Sequence, residues 1–275
     1  MTVTPPPPAA DAWRATAGVI VAYGAVILIA GLVGLLLGGG DEPTAGTTRA
    51  TLALQAVGFS VAALLLAEGL RLGRPRFGTD PSASATGTPW ADQALTVVAV
   101  GAACAVGAYL AGPLVAALWP QLADRPTPVG GLGVGSGLGA DLGTIIVVAG
   151  LVPLGEELLF RGVLVGAWAR AGRPVAAVAA STVLFGLAHV TVGPRTMAIA
   201  ALLGLLLAGG LLISQSLGAV VLAHALINGI ALLEAGLDGA VEITALLAVI
   251  AAATVAASRL SPLVSWPAPA GTLTE

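Results

Sequence analysis

The sequence predicts an all-α membrane protein with about eight transmembrane helices in one bundle. Of its 275 residues, 57% are hydrophobic and only 9% are charged, whereas an ordinary soluble domain has about 25% charged residues. Apolar runs of about 20 residues recur along the chain, and a helix of that length crosses the roughly 30 Å hydrocarbon layer of a bilayer. This composition excludes a soluble globular enzyme, and it is too hydrophobic for an intrinsically disordered chain.

The apolar runs predict a helical bundle over residues 17–258. Residues 1–16 begin MTVTPPPP, and we expect them to form a disordered Pro-rich tail because consecutive prolines favour an extended, solvated chain. Residues 259–275 are expected to be a short C-terminal tail. The predicted spans are 17–38, 50–72, 92–119, 141–168, 175–191, 196–213, 217–235 and 240–258.

The placement of arginine predicts how the bundle is oriented. All 11 basic residues are arginine, and no polybasic surface suggests a nucleic-acid partner. With eight spans, more arginines flank the side that holds both termini, so the positive-inside rule makes both termini cytoplasmic. The Ala/Gly-rich, lysine-free composition is typical of a high-GC bacterium, so we expect a bacterial cytoplasmic membrane. The arginines on the two sides are Arg14, Arg71, Arg74, Arg76, Arg170, Arg173 and Arg259 against Arg49, Arg125 and Arg195.

Several polar side chains lie inside the predicted spans, where charges are costly and tend to mark function. Glu157 and Arg161 are four residues apart, so they can pair on one helix. Glu156 is rotated by about 100° from Glu157, so we expect the two carboxylates to face different neighbours. The remaining members of the set are the two histidines of the chain, His189 and His224, and Asn228.

A proline stands just before the glutamates. Pro153 lacks an N–H, so we expect it to remove one helix hydrogen bond and to free a carbonyl near Ala149. A freed carbonyl inside a membrane bundle is tolerated where it lines a polar cavity. The sequence therefore predicts a cavity beside Glu156 and Glu157.

These residue types suit hydrolysis without a covalent nucleophile. A glutamate and an imidazole can deprotonate a water molecule held between them, and an imidazole with a side-chain amide can donate hydrogen bonds to a developing oxyanion. One glutamate and two histidines are also typical ligands of catalytic zinc. The spacing leaves open whether Glu156, His189 and His224 hold a divalent metal such as zinc or whether the water is activated without a metal.

Three motifs resemble a known family of intramembrane proteases. EELLFR at 156–161 fits E-E-x-x-x-R, FGLAH at 185–189 fits F-x-x-x-H, and HALIN at 224–228 fits H-x-x-x-N. Their order and spacing are similar to those of the CPBP family of CaaX proteases and bacteriocin-processing (Abi) proteins, which includes the Ras-converting CaaX prenyl endopeptidases. The resemblance covers about 141–236, roughly a third of the chain.

The resemblance implies an eight-helix fold and a (metallo)endopeptidase that cleaves a peptide or a lipid-anchored protein at the membrane. It implies that Glu156 and His189 activate the water and that His224 and Asn228 hold the oxyanion. It also implies that Glu157 and Arg161 support the glutamate helix and that Phe185 packs beside His189.

Two other classes of function remain open from the residues alone. The first is a non-catalytic membrane protein, a peptide-binding or immunity-type partner that uses the polar cavity for binding. The second is a proton-coupled transporter in which the glutamates and histidines relay protons. The chain has no evident internal repeat of the kind found in many transporters, which disfavours the second class.

Overall fold

The computed structural model describes residues 9–38, 44–70, 90–123, 141–234 and 240–260, and every regular element within those ranges is a helix. The two longest N-terminal helices are followed by a broken third segment and then by five further helices. Their bounds are α1 Ala9–Gly38, α2 Ala45–Gly69, α3 Trp90–Tyr109, α4 Ala111–Leu118, α5 Pro120–Ala123, α6 Leu142–Arg170, α7 Pro174–Ala188, α8 Pro194–Ser214, α9 Leu217–Glu234 and α10 Ala240–Leu260.

The lengths of these helices confirm the predicted membrane fold. Within the described ranges, six helical segments are long and apolar enough to cross a membrane, and two shorter apolar helices, Leu217–Leu233 and Val241–Ala257, follow them. Many large hydrophobic side chains on α1 and α2, including Leu28, Leu36 and Leu65, are exposed. A bilayer accounts for this exposure because lipid tails are as apolar as these side chains.

The start of α1 corrects the prediction of a disordered tail over residues 1–16. The helix already begins at Ala9, and Ala12, Ala15 and Thr16 are buried. Alanine is the best helix former, and Asp11 in the first turn interacts favourably with the helix dipole. The prolines of the tail, residues 5–8, lie outside the described ranges, as do residues 261–275 of the predicted C-terminal tail.

The central helix α6 is the most buried of the candidate spans, and it is not a regular α-helix. Two stretches of π-helix, Ile146–Leu151 and Leu158–Val165, enclose one α-helical stretch, Val152–Glu157. Insertions of π-helix are rare and occur frequently at functional sites. Both glutamates of the E-E-x-x-x-R motif lie at the end of the α-helical stretch.

Helix α6 packs closely against α2. A methyl group at Gly155 would overlap the carbonyl oxygen of Ala56 on α2, so only glycine permits this approach. Because Gly155 directly precedes Glu156, the contact fixes the depth and rotation of the glutamates relative to α2.

A short connection separates α7 from α8. Helix α7 ends at Ala188, a 3-10 turn covers Val190–Val192, and Gly193 then adopts φ 125°. That backbone conformation favours glycine, and Pro194 begins α8, where its missing N–H costs nothing. The connection therefore ends α7 just before His189 and turns the chain back into the bundle.

The start of α6 is held by an acidic cap. The Asp141 carboxylate accepts a hydrogen bond from the Thr144 backbone N–H at 2.9 Å and forms an ion pair with Arg49 of α2. The hydrogen bond from Arg49 and the bond from Thr144 lower the pKa of Asp141 below its usual value. The cap therefore ties the first turn of α6 to the first turns of α2.

Candidate active site

The three motifs meet at one cavity inside the bundle. The cavity has a volume of about 440 Å³ and is bordered by α3, α4, α6, α7, α8 and α9. Five of the seven residues singled out in the sequence line it, while Glu157 and Arg161 are fully buried behind its wall. The five lining residues are Glu156, Phe185, His189, His224 and Asn228.

A chain of four polar side chains runs from the buried core to the cavity. The Arg161 Nη1 donates to Glu157 Oε1 at 3.0 Å, and the His224 Nδ1 donates to the same oxygen at 2.8 Å. On the other side of the ring, His224 Nε2 lies 3.8 Å from Glu156 Oε2. The predicted pairing of Glu157 with Arg161 is thus present, and its carboxylate also orients His224.

The arrangement corrects the expectation that the two carboxylates face different neighbours. Glu156 and Glu157 approach opposite nitrogens of the same imidazole. Adjacent helix residues point about 100° apart, but the His224 ring is wide enough to be reached from both directions. Glu157 therefore acts on a residue of α9 and does not only support its own helix.

Phe185 contacts three members of the site. Its ring lies under the Arg161 guanidinium, with Cζ 4.3 Å from the ring centroid, which is a cation–π contact. It also packs against His189, as predicted, and meets His224 edge-on, with centroid distances of 5.0 Å and 5.9 Å. This single aromatic ring therefore contacts Arg161 and both histidines, so it helps to fix their relative positions.

The protonation of the His189 ring follows from its hydrogen bond. His189 Nδ1 lies 2.8 Å from the carbonyl oxygen of Phe185, one turn earlier on α7. A carbonyl only accepts, so Nδ1 carries the proton, and the neutral ring has its lone pair at Nε2. His189 therefore offers a proton acceptor to the cavity that it lines.

Asn228 holds the carbonyl that the proline of α6 leaves without a backbone donor. The Val152 N–H donates to the Val147 carbonyl, five residues back, so in this π-helical register the next donor, for Val148, would be the nitrogen of Pro153. Proline has no N–H, and Asn228 Nδ2 donates to the Val148 carbonyl instead, at 2.9 Å. The freed carbonyl thus lies near Ala149, as predicted, and it belongs to the preceding residue because the helix here has π-helical register.

The side chains do not gather as a metal centre. Among the described residues, no three His, Cys, Asp or Glu side chains are grouped so that they could hold a metal ion. Both ring nitrogens of His224 face carboxylates, Nδ1 toward Glu157 and Nε2 toward Glu156. Ligation of zinc by Glu156, His189 and His224 would therefore require these side chains to move closer together, and the metal stays a prediction.

Two features of the site involve residues outside the three motifs, so the motifs did not predict them. Arg195 and Thr196, at the start of α8, line the same cavity as His189, although the sequence marks them only as a helix boundary. Tyr23 of α1 donates to the Ala188 carbonyl at 2.8 Å, 165 residues away along the chain. A tyrosine inside an otherwise apolar span was the only sequence signal for this contact.

Comparisons with known proteins agree with the motifs. Residues 139–230 match the family model described as Type II CAAX prenyl endopeptidase Rce1-like. No curated protein matches the chain, and no solved structure does. The matched segment is about a third of the chain and holds all seven motif residues. The apolar helices and this match together indicate an integral membrane protein, and over residues 139–230 its sequence is similar to the Rce1-like type II CAAX prenyl endopeptidases.

Proposed function

We propose that the protein is an intramembrane endopeptidase that hydrolyses a peptide bond of a membrane-associated peptide or lipid-anchored protein. The observation that carries the proposal is the convergence of Glu156, His189, His224 and Asn228 on one cavity. Each unmatched polar group would cost several kcal/mol in an apolar bundle. A set of this size at a cavity wall is therefore better explained by chemistry than by packing.

The water nucleophile is activated by Glu156 and His189 in this proposal. Glu156 accepts the proton of the water, and the His189 Nε2 lone pair accepts its second hydrogen bond and aims its oxygen at the scissile carbonyl. The bond from His189 Nδ1 to the Phe185 carbonyl keeps that lone pair directed away from α7. Transfer of the proton from Glu156 to the leaving amine completes the hydrolysis.

The oxyanion is held by His224 and Asn228. His224 donates at Nδ1 to Glu157, and the Nε2 side of the same ring is the proposed donor to the oxyanion. Asn228 uses one amide proton on the Val148 carbonyl and has a second to donate to the oxyanion. Pre-oriented donors of this kind are each worth about 10²–10³ in kcat.

Cleavage by purified variants tests the proposal. Wild-type protein in proteoliposomes is incubated with a peptide library, with and without chelator, and new termini are identified by mass spectrometry. We expect Glu156→Gln and His189→Ala to lose cleavage by at least about 100-fold, whereas Glu68→Gln, on the exposed end of α2, cleaves as the wild type does. Full activity in Glu156→Gln would contradict the proposal, and normal function of that variant in cells would favour a binding partner instead.

The chelator arm decides between the two forms of the water nucleophile. Cleavage that survives chelation indicates a water activated by Glu156 and His189 alone. Cleavage that chelation abolishes and zinc restores indicates a metal-dependent enzyme. The arginine distribution gives the accompanying prediction that both termini are cytoplasmic, which reporter fusions at the two ends would check.

A further inference from the structure

The segment that ends α7 is held at three points, and one of them comes from a distant helix. The peptide group between Ala188 and His189 donates from its N–H to the Gly186 carbonyl at 3.0 Å and accepts at its C=O from the Tyr23 hydroxyl at 2.8 Å. The His189 ring donates from Nδ1 to the Phe185 carbonyl. Tyr23 is therefore the one part of this arrangement that does not belong to α7.

Tyr23 is itself rigidly placed. Its ring stacks on Phe59 of α2, with centroids 5.1 Å apart and planes inclined by 8°, and it meets Phe160 of α6 edge-on at 5.9 Å. Phe160 in turn packs on Phe185, with the rings perpendicular and 5.1 Å apart. These aromatic contacts therefore hold the Tyr23 ring in place so that its hydroxyl reaches α7, and through Phe160 they extend to Phe185 of the candidate site.

The Tyr23 hydroxyl donates to a carbonyl at the C-terminal end of α7. The last carbonyls of a helix have no backbone donor from their own helix, and the chain beyond His189 turns away through a 3-10 turn and Gly193. Without the hydroxyl, the Ala188 carbonyl would lose this donor, and the peptide group between Ala188 and His189 would be free to rotate. Rotation of this peptide group would turn the His189 ring, because the two share the Cα of His189.

We propose that Tyr23 is a positioning residue for His189: its hydroxyl fixes the last peptide group of α7 and thereby the direction of the His189 Nε2 lone pair. This inference rests on the proposed hydrolysis for its kinetic consequence only. It places a functional residue in α1, outside the segment 139–230 that matches the family model.

The test uses two variants of α1 in the full-length protein. Tyr23→Phe keeps the ring contacts with Phe59 and Phe160 and removes only the hydroxyl. Thr16→Val is the matched control, because Thr16 also bonds α1 to the bundle, accepting from Trp168 Nε1 at 2.9 Å, with no link to His189. The chain has two histidines, so ¹⁵N spectra of histidine-labelled protein in detergent resolve the His189 tautomer directly.

We expect Tyr23→Phe to lower kcat three- to tenfold with KM unchanged, about the effect of one lost hydrogen bond. We also expect it to shift the His189 ¹⁵N signals from the single Nδ1–H form toward a mixture. Thr16→Val should leave both readouts as in the wild type. The inference is overturned if Tyr23→Phe leaves the His189 signals unchanged, or if Thr16→Val shifts them equally. A wild type without hydrolysis would refute the proposed function, while the spectra would still decide on Tyr23.

Discussion

The bond between Asn228 and Val148 makes a quantitative prediction about stability. Val148 is fully buried, and the carbonyl has no backbone donor because Pro153 occupies the position five residues later. Asn228→Ala removes the only side-chain donor that the structure gives this carbonyl. A buried acceptor left unpaired costs about 1–3 kcal/mol, so the free energy of unfolding should fall by that amount.

Pro153→Ala supplies the missing N–H and therefore should rescue the loss. In a double-mutant cycle, Asn228→Ala should cost less in the Pro153→Ala background, with a coupling energy of about 1 kcal/mol. Thr182→Ala is the matched control, because Thr182 donates to the Val178 carbonyl, which lies four residues before it in a regular helix. Its cost should add to that of Pro153→Ala within about 0.5 kcal/mol.

The assay is reversible unfolding of detergent-solubilised protein in sodium dodecyl sulfate, followed by tryptophan fluorescence. Additive costs for Asn228→Ala and Pro153→Ala would refute the π-register explanation. Measuring peptide hydrolysis by the same variants separates the two roles of Asn228, which are to bond the Val148 carbonyl and to hold the oxyanion. The double variant should regain stability but not cleavage, since the second amide proton is proposed to bind the oxyanion.

Three further variants test other parts of the account. Glu157→Gln leaves Arg161 as an uncompensated buried cation, and it should lower the free energy of unfolding by about 3–5 kcal/mol, with part of the loss recovered by adding Arg161→Met. Gly155→Ala should separate α6 from α2 at Ala56, lowering the melting temperature and abolishing cleavage, as thermal unfolding and the peptide assay would report; an unchanged melting temperature would contradict the close approach. Asp141 has a lowered pKa in the folded protein, so its stabilisation is present above its unfolded pKa of about 4 and is lost as the pH falls through the folded pKa. Asp141→Asn should therefore cost about 0.5–1 kcal/mol at pH 7 and make stability less dependent on pH between 5 and 2; equal pH profiles for variant and wild type would contradict this.

The positions of the helices could be predicted from the sequence because bilayer thickness sets the length of an apolar span. The boundary between α7 and α8 could be predicted from Gly193 and Pro194, because glycine and proline are residues that commonly interrupt a helix. The predicted start of α1 at residue 17 is too late, because the extended conformation that prolines 5–8 favour does not continue past Ala9 and Ala10. Helix propensity at those two residues was a usable signal.

The site could be predicted as a set of residues but not as a geometry. The spacing of four residues on one helix predicted the bond between Glu157 and Arg161. It could not show that Glu156 and Glu157 share His224, since that depends on how α6 and α9 pack. The partner of Asn228 depends on a π-helical register that apolar residues do not encode, and the contact of Tyr23 joins chain segments with no local relation.

The central claim is that Glu156 activates the water that cleaves a peptide bond. The most direct measurement compares cleavage of the peptide library by wild type, Glu156→Gln and Glu68→Gln in proteoliposomes, at equal amounts of folded protein. We expect new termini with the wild type and with Glu68→Gln, and at least about a hundredfold fewer with Glu156→Gln. Cleavage by Glu156→Gln at the wild-type rate would contradict it.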